Sequence, residues 1–266
     1  MKVVLREQHA TERTVRHLGI WFLGPLLVLL LVVFIFARSW RGTLVIETVS
    51  VEGAKALAAK DVVSMAAIQP LAFLAKADLF DARKRLLDQP YIKSAVVMRC
   101  LPHTLKIEIV EREPIASLQG SELRYVDSEA VLIPRFAADT QFDVPVISGI
   151  AGLDSAAYGV PVHDTDLVAA LEVIKAGQLS GFYHAISEVH VAPGADIVMY
   201  SAEGGVPVFL GRGEMGKKLV TLQTFWSAYM KPDTLAQLQY IDARFDGQIV
   251  VKRTPPRTPV VRRASL

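Results

Sequence analysis

A chain of 266 residues with 52% hydrophobic and 21% charged content is long enough for two modest folded domains, and this composition excludes a disordered protein. Its formal net charge of +2 is too near balance to point to nucleic acid, because the basic residues are spread out except at the two ends. The single cysteine, Cys100, excludes an internal disulfide and any cysteine-built zinc cluster. Its place between Arg99 and Leu101, at the end of an expected strand, marks it as structural rather than reactive.

Residues 1–19 are polar and basic, with Lys2, Arg6, Arg13 and Arg16 against Glu7 and Glu12, and are expected to form a short disordered tail. From Ile20 to Ala37 there is no charge. These eighteen residues reach about 27 Å as a helix, enough with flanking help to cross a hydrocarbon core of about 30 Å. Trp21 and Trp40 stand near the two ends, as amphipathic rings prefer, and Arg38 and Arg41 are placed to snorkel. A cleaved signal peptide and a buried core helix are the alternatives. Ala37-Arg38-Ser39 has the small-x-small form of a cleavage site, yet the block exceeds the roughly 7–15 apolar residues of a signal peptide. A single retained transmembrane helix is therefore expected. The excess of Lys and Arg before it puts the tail in the cytoplasm and the bulk of the chain outside.

Residues 44–53 read as a strand, with Val49 and Val51 on one face and Gly53 closing it. Lys60–Ala67 carries Val62, Val63, Ala66 and Ala67 at helical spacing, and Pro70 is expected to stop that helix. Asp78 or Asp81 caps a second helix bearing Ala82, Leu86 and Leu87, ended by Pro90. Residues 92–100 form a strand leading into Thr104–Glu111, where Leu105, Ile107 and Ile109 alternate with Thr104, Lys106 and Glu108. Pro102 and Pro114 bracket this last strand, because neither ring donates to a ladder. The order is β-α-α-β-β, an α+β unit.

Beyond Pro114 the texture turns to short alternating pieces separated by turns. Asp164 or Asp166 caps a helix with Leu167, Ala170, Leu171 and Ile174 inward and Gly177 just past its end. Strands are expected at 186–191, 196–201 and 206–210. A long helix over 214–230 places Leu219, Leu222, Phe225, Trp226 and Tyr229 on one stripe. Residues 240–252 then form a hairpin around Asp246-Gly247. The basic, Pro-rich residues 253–266 are expected to be disordered.

Signs of catalysis are decoys. Gly211, Gly216 and Lys217 give most of a phosphate-binding loop, but Lys218 stands where the Mg²⁺-binding Ser or Thr belongs. The histidines are scattered as His9, His17, His103, His163, His184 and His190, with no metalloprotease spacing, and no nucleophile elbow occurs. No catalytic residue, cofactor or metal is expected.

Several of these segments together resemble the FtsQ/DivIB family of bacterial division proteins. Leu101, Pro102, Thr104, Leu105, Ile107, Ile109, Glu111, Arg112, Pro114 and Ala116 stand in the family's places, with His103 where an Asn is common. Pro90, Tyr91, Ile92, Lys93 and Ala95 match a second segment, and Val144–Gly149 a third. Tyr125-Val126-Asp127 resembles the family's Val-Asp-x-x-Gly turn, but Ala130 occupies the Gly place, so a positive φ there is not expected. Leu210, Gly211, Lys218 and Leu219 fit the family's loop into a helix, and Ile241, Asp242 and Arg244 its Ile-Asp-x-Arg ending.

The resemblance implies a cytoplasmic tail over 1–19, a span over 20–37, a polypeptide-transport-associated (POTRA) domain over 44–113, a β domain with two helices over 114–252, and a disordered tail over 253–266. It implies a non-enzymatic scaffold of the divisome at the septum, in the inner membrane with its bulk in the periplasm. The implied partners are the single-pass proteins FtsB and FtsL. A POTRA-containing transport or assembly factor would need a barrel of strands of about ten residues after the domain, and a membrane-anchored hydrolase would need a nucleophile and base.

The partner-binding surface is expected on the last hairpin, at Arg244, Phe245, Gly247, Ile249 and Val251. Nothing later in the chain need cover the outer edge of its final strand, which carries Ile249, Val250 and Val251 with little charge to discourage pairing. By the resemblance, Arg244 and Phe245 match positions that contact FtsB, Phe245 as an aromatic anchor and Arg244 as the partner of a carboxylate. The alternative makes Phe245 a core or capping aromatic.

Overall fold

The computed structural model describes residues 8–41, 44–135, 142–194, 196–230, 235 and 237–254. It begins with one helix, α1 (Gln8–Arg41). The expected tail over 1–19 is thus helical from Gln8, since no Gly or Pro interrupts the backbone before Gly19 and a nucleated helix propagates. Residues 1–7 and the side chains of Trp21 and Trp40 lie outside the described residues. Every Leu, Val, Ile and Phe from Leu23 to Phe36 is more than half exposed. Among the described residues no helix is long and apolar enough to cross a membrane. The stretch of α1 with described side chains, 23–39, is shorter than the ~20 residues a span needs.

Two compact units follow from the packing: Met1–Leu86 with Ala95–Ile109, and Leu87–Ser94 with Val110–Leu266. The N-terminal sheet contains β1 (Thr48–Glu52), β2 (Ile92–Cys100) and β3 (Thr104–Glu111), in the order β1-β3-β2. β1 is parallel to β3, with Thr48 opposite Thr104 and Glu52 opposite Glu108. Alternation along β3 sends Leu105, Ile107 and Ile109 into the core, joined there by Val62 and Ala66 of α2 (Ala59–Ala66) and by Ala82 and Leu86 of α3 (Leu79–Leu87). Gly53 follows β1 at φ 85, and a Cβ there would fall 1.9 Å from the Ile109 carbonyl oxygen, so only glycine fits.

Three local expectations are corrected here. The strand is shorter than 44–53, because Leu44–Ile46 pairs instead with the segment around Phe73. α2 ends at Ala67, in the left-handed conformation with φ 49, before Pro70 is reached. Of the two candidate caps for α3 it is Asp78 that acts, its Oδ1 accepting from the Asp81 N–H at 3.0 Å.

The second sheet has nine strands: β4 (Pro114–Leu118), β5 (Arg124–Asp127), β6 (Leu132–Pro134), β7 (Val146–Ser148), β8 (Ile186–Val191), β9 (Ile197–Ser201), β10 (Pro207–Phe209), β11 (Leu238–Asp242) and β12 (Val250–Arg253). Their order is β12-β11-β10-β9-β8-β7-β4-β5-β6. Pro114 therefore opens a new strand as well as closing β3. The parallel pairs β7–β8 and β10–β11 are joined by α4 (Thr165–Ser180) and α5 (Met215–Tyr229). Both crossovers start from strands of the same direction and step the same way along the sheet, so right-handed connections put both helices on one face. The core lies between: Leu167, Leu171 and Ile174 of α4 and Leu219 and Leu222 of α5 meet Val189, Met199, Val208 and Ile241 of the sheet.

Asp164 caps α4, accepting from the N–H groups of Asp166 and Leu167. Gly177 does not end this helix. It lies inside, where a Cβ would come within 2.7 Å of Ile186 Cδ1, and Gly181 at φ 78 is the left-handed cap. On α5 the apolar stripe is buried at Leu219 and Leu222 and fades outward, so that Tyr229 is 65% exposed. Ala130 has φ 59, so the turn takes the family's glycine conformation without its glycine. Asp127 explains this: its Oδ1 accepts from the N–H groups of Glu129 and Val131, and its Oδ2 from Arg112 at 2.6 Å. That network over-determines the turn and holds alanine where it would not go alone. Of residues 253–266, Arg253 belongs to β12 and 255–266 lie outside the described residues.

Candidate functional site

Among the described residues β12 is the end strand of the nine-stranded sheet, paired with β11 alone. Its register sets Ile241 opposite Val251 and Asp242 opposite Val250. The hairpin expected at Asp246-Gly247 is present but longer than a two-residue turn: the loop runs over 243–249. Gly247, at φ 65, sits in a turn in which the Gln248 N–H donates to the Phe245 carbonyl.

The five residues singled out in the sequence share this hairpin but differ in surroundings. Phe245 is 54% exposed, which rules out a core aromatic. Ile249 is half-buried against the core, Val251 is half-buried, and Val250 shows more of itself, at 45%. Arg244 is already engaged. Its Nε and Nη2 donate to the two oxygens of Asp242 at 3.0 and 2.7 Å, its Nη1 lies 3.6 Å from Asp196, and its guanidinium covers the Phe209 ring. These hydrogen bonds hold the Asp242 carboxyl below the usual carboxylate range, so the pair stays ionised and neutral overall near pH 7. The Ile-Asp-x-Arg ending thus has a structural reason: Asp242 and Arg244 clamp the base of the loop.

A cleft of about 220 Å³ lies beside the hairpin, lined by Arg212, Lys217 and Lys218 from the loop and first turn before and into α5, and by Arg244, Phe245 and Ile249. Local reading missed Arg212 and Lys217, which reach the site only because β10 pairs in parallel with β11. The resemblance to a phosphate loop ends here. Lys218 Nζ donates to the carbonyls of Leu210 and Arg212 at 2.8 and 3.0 Å, Lys217 pairs with Glu214, and Arg212 pairs with Asp166. Gly211, at φ 61, is needed for a different purpose, since a Cβ there would stand 3.2 Å from Cγ of Arg244. The loop's cations are engaged by its own carbonyls, by Glu214 and by Asp166 of α4.

His184 and His190 do not converge. His190 Nδ1 lies 2.7 Å from Ser148 Oγ and 4.0 Å from Glu188, while His184 packs edge-on against Tyr183. Among the described residues no cluster of three His, Cys, Asp or Glu side chains could hold a metal.

This architecture agrees with what the chain resembles. Residues 44–112 match the family described as POTRA domain, FtsQ-type, and residues 113–252 match FtsQ/DivIB, C-terminal related. The cell division protein FtsQ of Geobacter sp. (strain M21) is 30% identical over 210 residues, covering 78% of this chain and 76% of that protein. The chain belongs to the FtsQ/DivIB family. The FtsQ of Rhodothermus marinus is 28% identical over 263 residues, 93% of each chain, and that of Geotalea daltonii is 27% identical over 78% of this chain and 75% of its own. As an FtsQ-family member the chain is a cell division protein with a POTRA domain and a β-rich domain, a component of the divisome at the septum. FtsQ proteins are division scaffolds rather than known enzymes.

Proposed function

We propose that this FtsQ-family chain is a bitopic inner-membrane scaffold that captures FtsB-like and FtsL-like single-pass partners on its last hairpin. The observation that carries the reading is a sheet edge, β12, open among the described residues and next to a half-exposed phenylalanine. A row of free backbone groups adds a partner strand, and an exposed aromatic beside it supplies the anchor that most often dominates an interface. Phe245 is that anchor. Gly247 shapes the loop that presents it, Ile249 packs against the core, half-buried Val251 lies in the edge strand, and Arg244, clamped at the base by Asp242, exchanges its longer 3.6 Å pairing with Asp196 for a partner carboxylate. The membrane part rests on the uncharged run Ile20–Ala37 lying within one helix and on its sleeve of exposed apolar side chains, which water would not tolerate. With the basic tail inside, the two domains stand in the periplasm.

Phe245→Ala tests the hairpin. Binding of an FtsB-like partner to the full-length protein should weaken by about 2 kcal/mol, with little change in melting temperature. A lower melting temperature with unchanged affinity would contradict the assignment.

A further inference from the structure

On the reading that α1 spans the membrane, the residues directly after it stay close to the bilayer. α1 ends at Arg41, and Leu44 lies three residues on, at most about 11 Å away when fully extended. From there the backbone is tied to a second segment. Leu74 N–H donates to the Leu44 carbonyl at 2.8 Å, Ile46 N–H to Ala72 at 2.9 Å, and Leu71 N–H to Ile46 at 3.1 Å, with Val45 and Phe73 forming an antiparallel bridge. Leu44, Ile46 and Leu74 are buried, which locks the pairing, but Leu71 is 72% and Phe73 43% exposed.

The loop is held rather than loose. Arg99 donates to the carbonyls of Leu74 and Ala77, both at 2.7 Å, and Leu71 is kept at φ 63, a left-handed conformation a leucine seldom adopts. Lys76 places its ammonium 5.0 Å from the centre of the Phe73 ring. Two outward apolar side chains beside a cation is the composition of an interfacial anchor: the apolar groups enter the boundary of the acyl chains and the ammonium meets phosphate. Arg38 and Arg41 bracket the same boundary in sequence.

We infer that the 71–76 loop rests in the headgroup layer of the membrane spanned by α1, with Leu71 and Phe73 at the acyl boundary and Lys76 toward lipid phosphate. The contact fixes the tilt of the N-terminal sheet, so that Glu52, at the far end of β1 and roughly 20 Å of strand beyond Ile46, points away from the bilayer.

The test uses the full-length chain with Cys100→Ser and one new cysteine at a time: Leu71→Cys, Phe73→Cys, Glu52→Cys and, within α1, Leu30→Cys. All four positions are exposed, so a label displaces no core. Each variant carries an environment-sensitive fluorophore and is reconstituted into phosphatidylethanolamine–phosphatidylglycerol vesicles containing a lipid spin-labelled near its headgroup or mid-chain. Labels at 71 and 73 should be quenched by the shallow spin label several-fold more than the label at 52, and the label at 30 by the mid-chain one. Quenching at 30 with no difference between 71, 73 and 52 overturns the loop contact and leaves the span standing. No quenching at 30 overturns the span, and the loop contact is overturned with it when 71 and 73 are also silent.

Discussion

β3 and β12 read alike in sequence, as short runs rich in β-branched residues, yet they sit in opposite situations. β3 lies between two strands, and its Leu105 and Ile107 are fully buried. β12 has one neighbour among the described residues, with Val250 nearly half exposed. What separates them is sheet order, a long-range property that alternation does not encode. A strand with neighbours on both sides has spent its backbone groups, so its side chains answer for stability. An edge strand keeps one row of groups free, and its side chains answer for association.

The same kind of substitution should therefore read out differently in the two strands. Ile107→Asp puts an unpaired carboxylate where the side chain is fully buried, and should cost several kcal/mol. Urea denaturation followed by proteolysis should show the unit containing β3 unfolding first, while the second unit keeps its own transition; a chain that melts unchanged would break the contrast. Val250→Lys sits opposite Asp242 on the exposed edge and should alter stability by no more than about 0.5 kcal/mol. It should nonetheless weaken partner binding by on the order of tenfold, because a lysine on an edge discourages strand addition. Titration of the partner against both variants measures this, and equal affinity for Val250→Lys and the parent chain would remove β12 from the interface.

The smallest effect is expected at Ala130, where conformation and packing oppose each other. Ala130→Gly relieves about 1–2 kcal/mol of left-handed strain, but loses about 0.8 kcal/mol of buried methyl and adds about 0.4–1 kcal/mol of unfolded-state freedom. The net change in unfolding free energy should stay within about 0.8 kcal/mol of zero. A larger stabilisation would show that the Asp127 network holds the turn at greater strain than an ordinary left-handed residue.

What was legible in the sequence was local. Asp164 before an apolar helical period and the alternation of Thr104–Glu111 between two prolines each act within a few residues and were found where expected, while Asp246-Gly247 marks a hairpin whose loop is wider, over 243–249. Gly177 misled because glycine ends helices and also fills tight helix–strand contacts, and only the position of Ile186 distinguishes the two. The engagement of Arg244 by Asp242 was hidden because two residues apart on an ideal strand share a face without meeting; the loop after Asp242 bends the guanidinium back onto it. The cleft was hidden for the reason that β12 resembled β3. It joins residues 212–221 to 243–249 through the parallel β10–β11 pairing, which no window of sequence contains.

Hydrogen exchange of the full-length chain, alone and with an FtsB–FtsL-type pair bound, addresses the edge directly. The amides of Val250–Arg253 should exchange several-fold more slowly in the complex, as a new strand takes up the free row, while those of Thr104–Glu111 keep the same rate. Unchanged exchange across β12 in a sample shown to be saturated with partner would contradict strand addition at this edge.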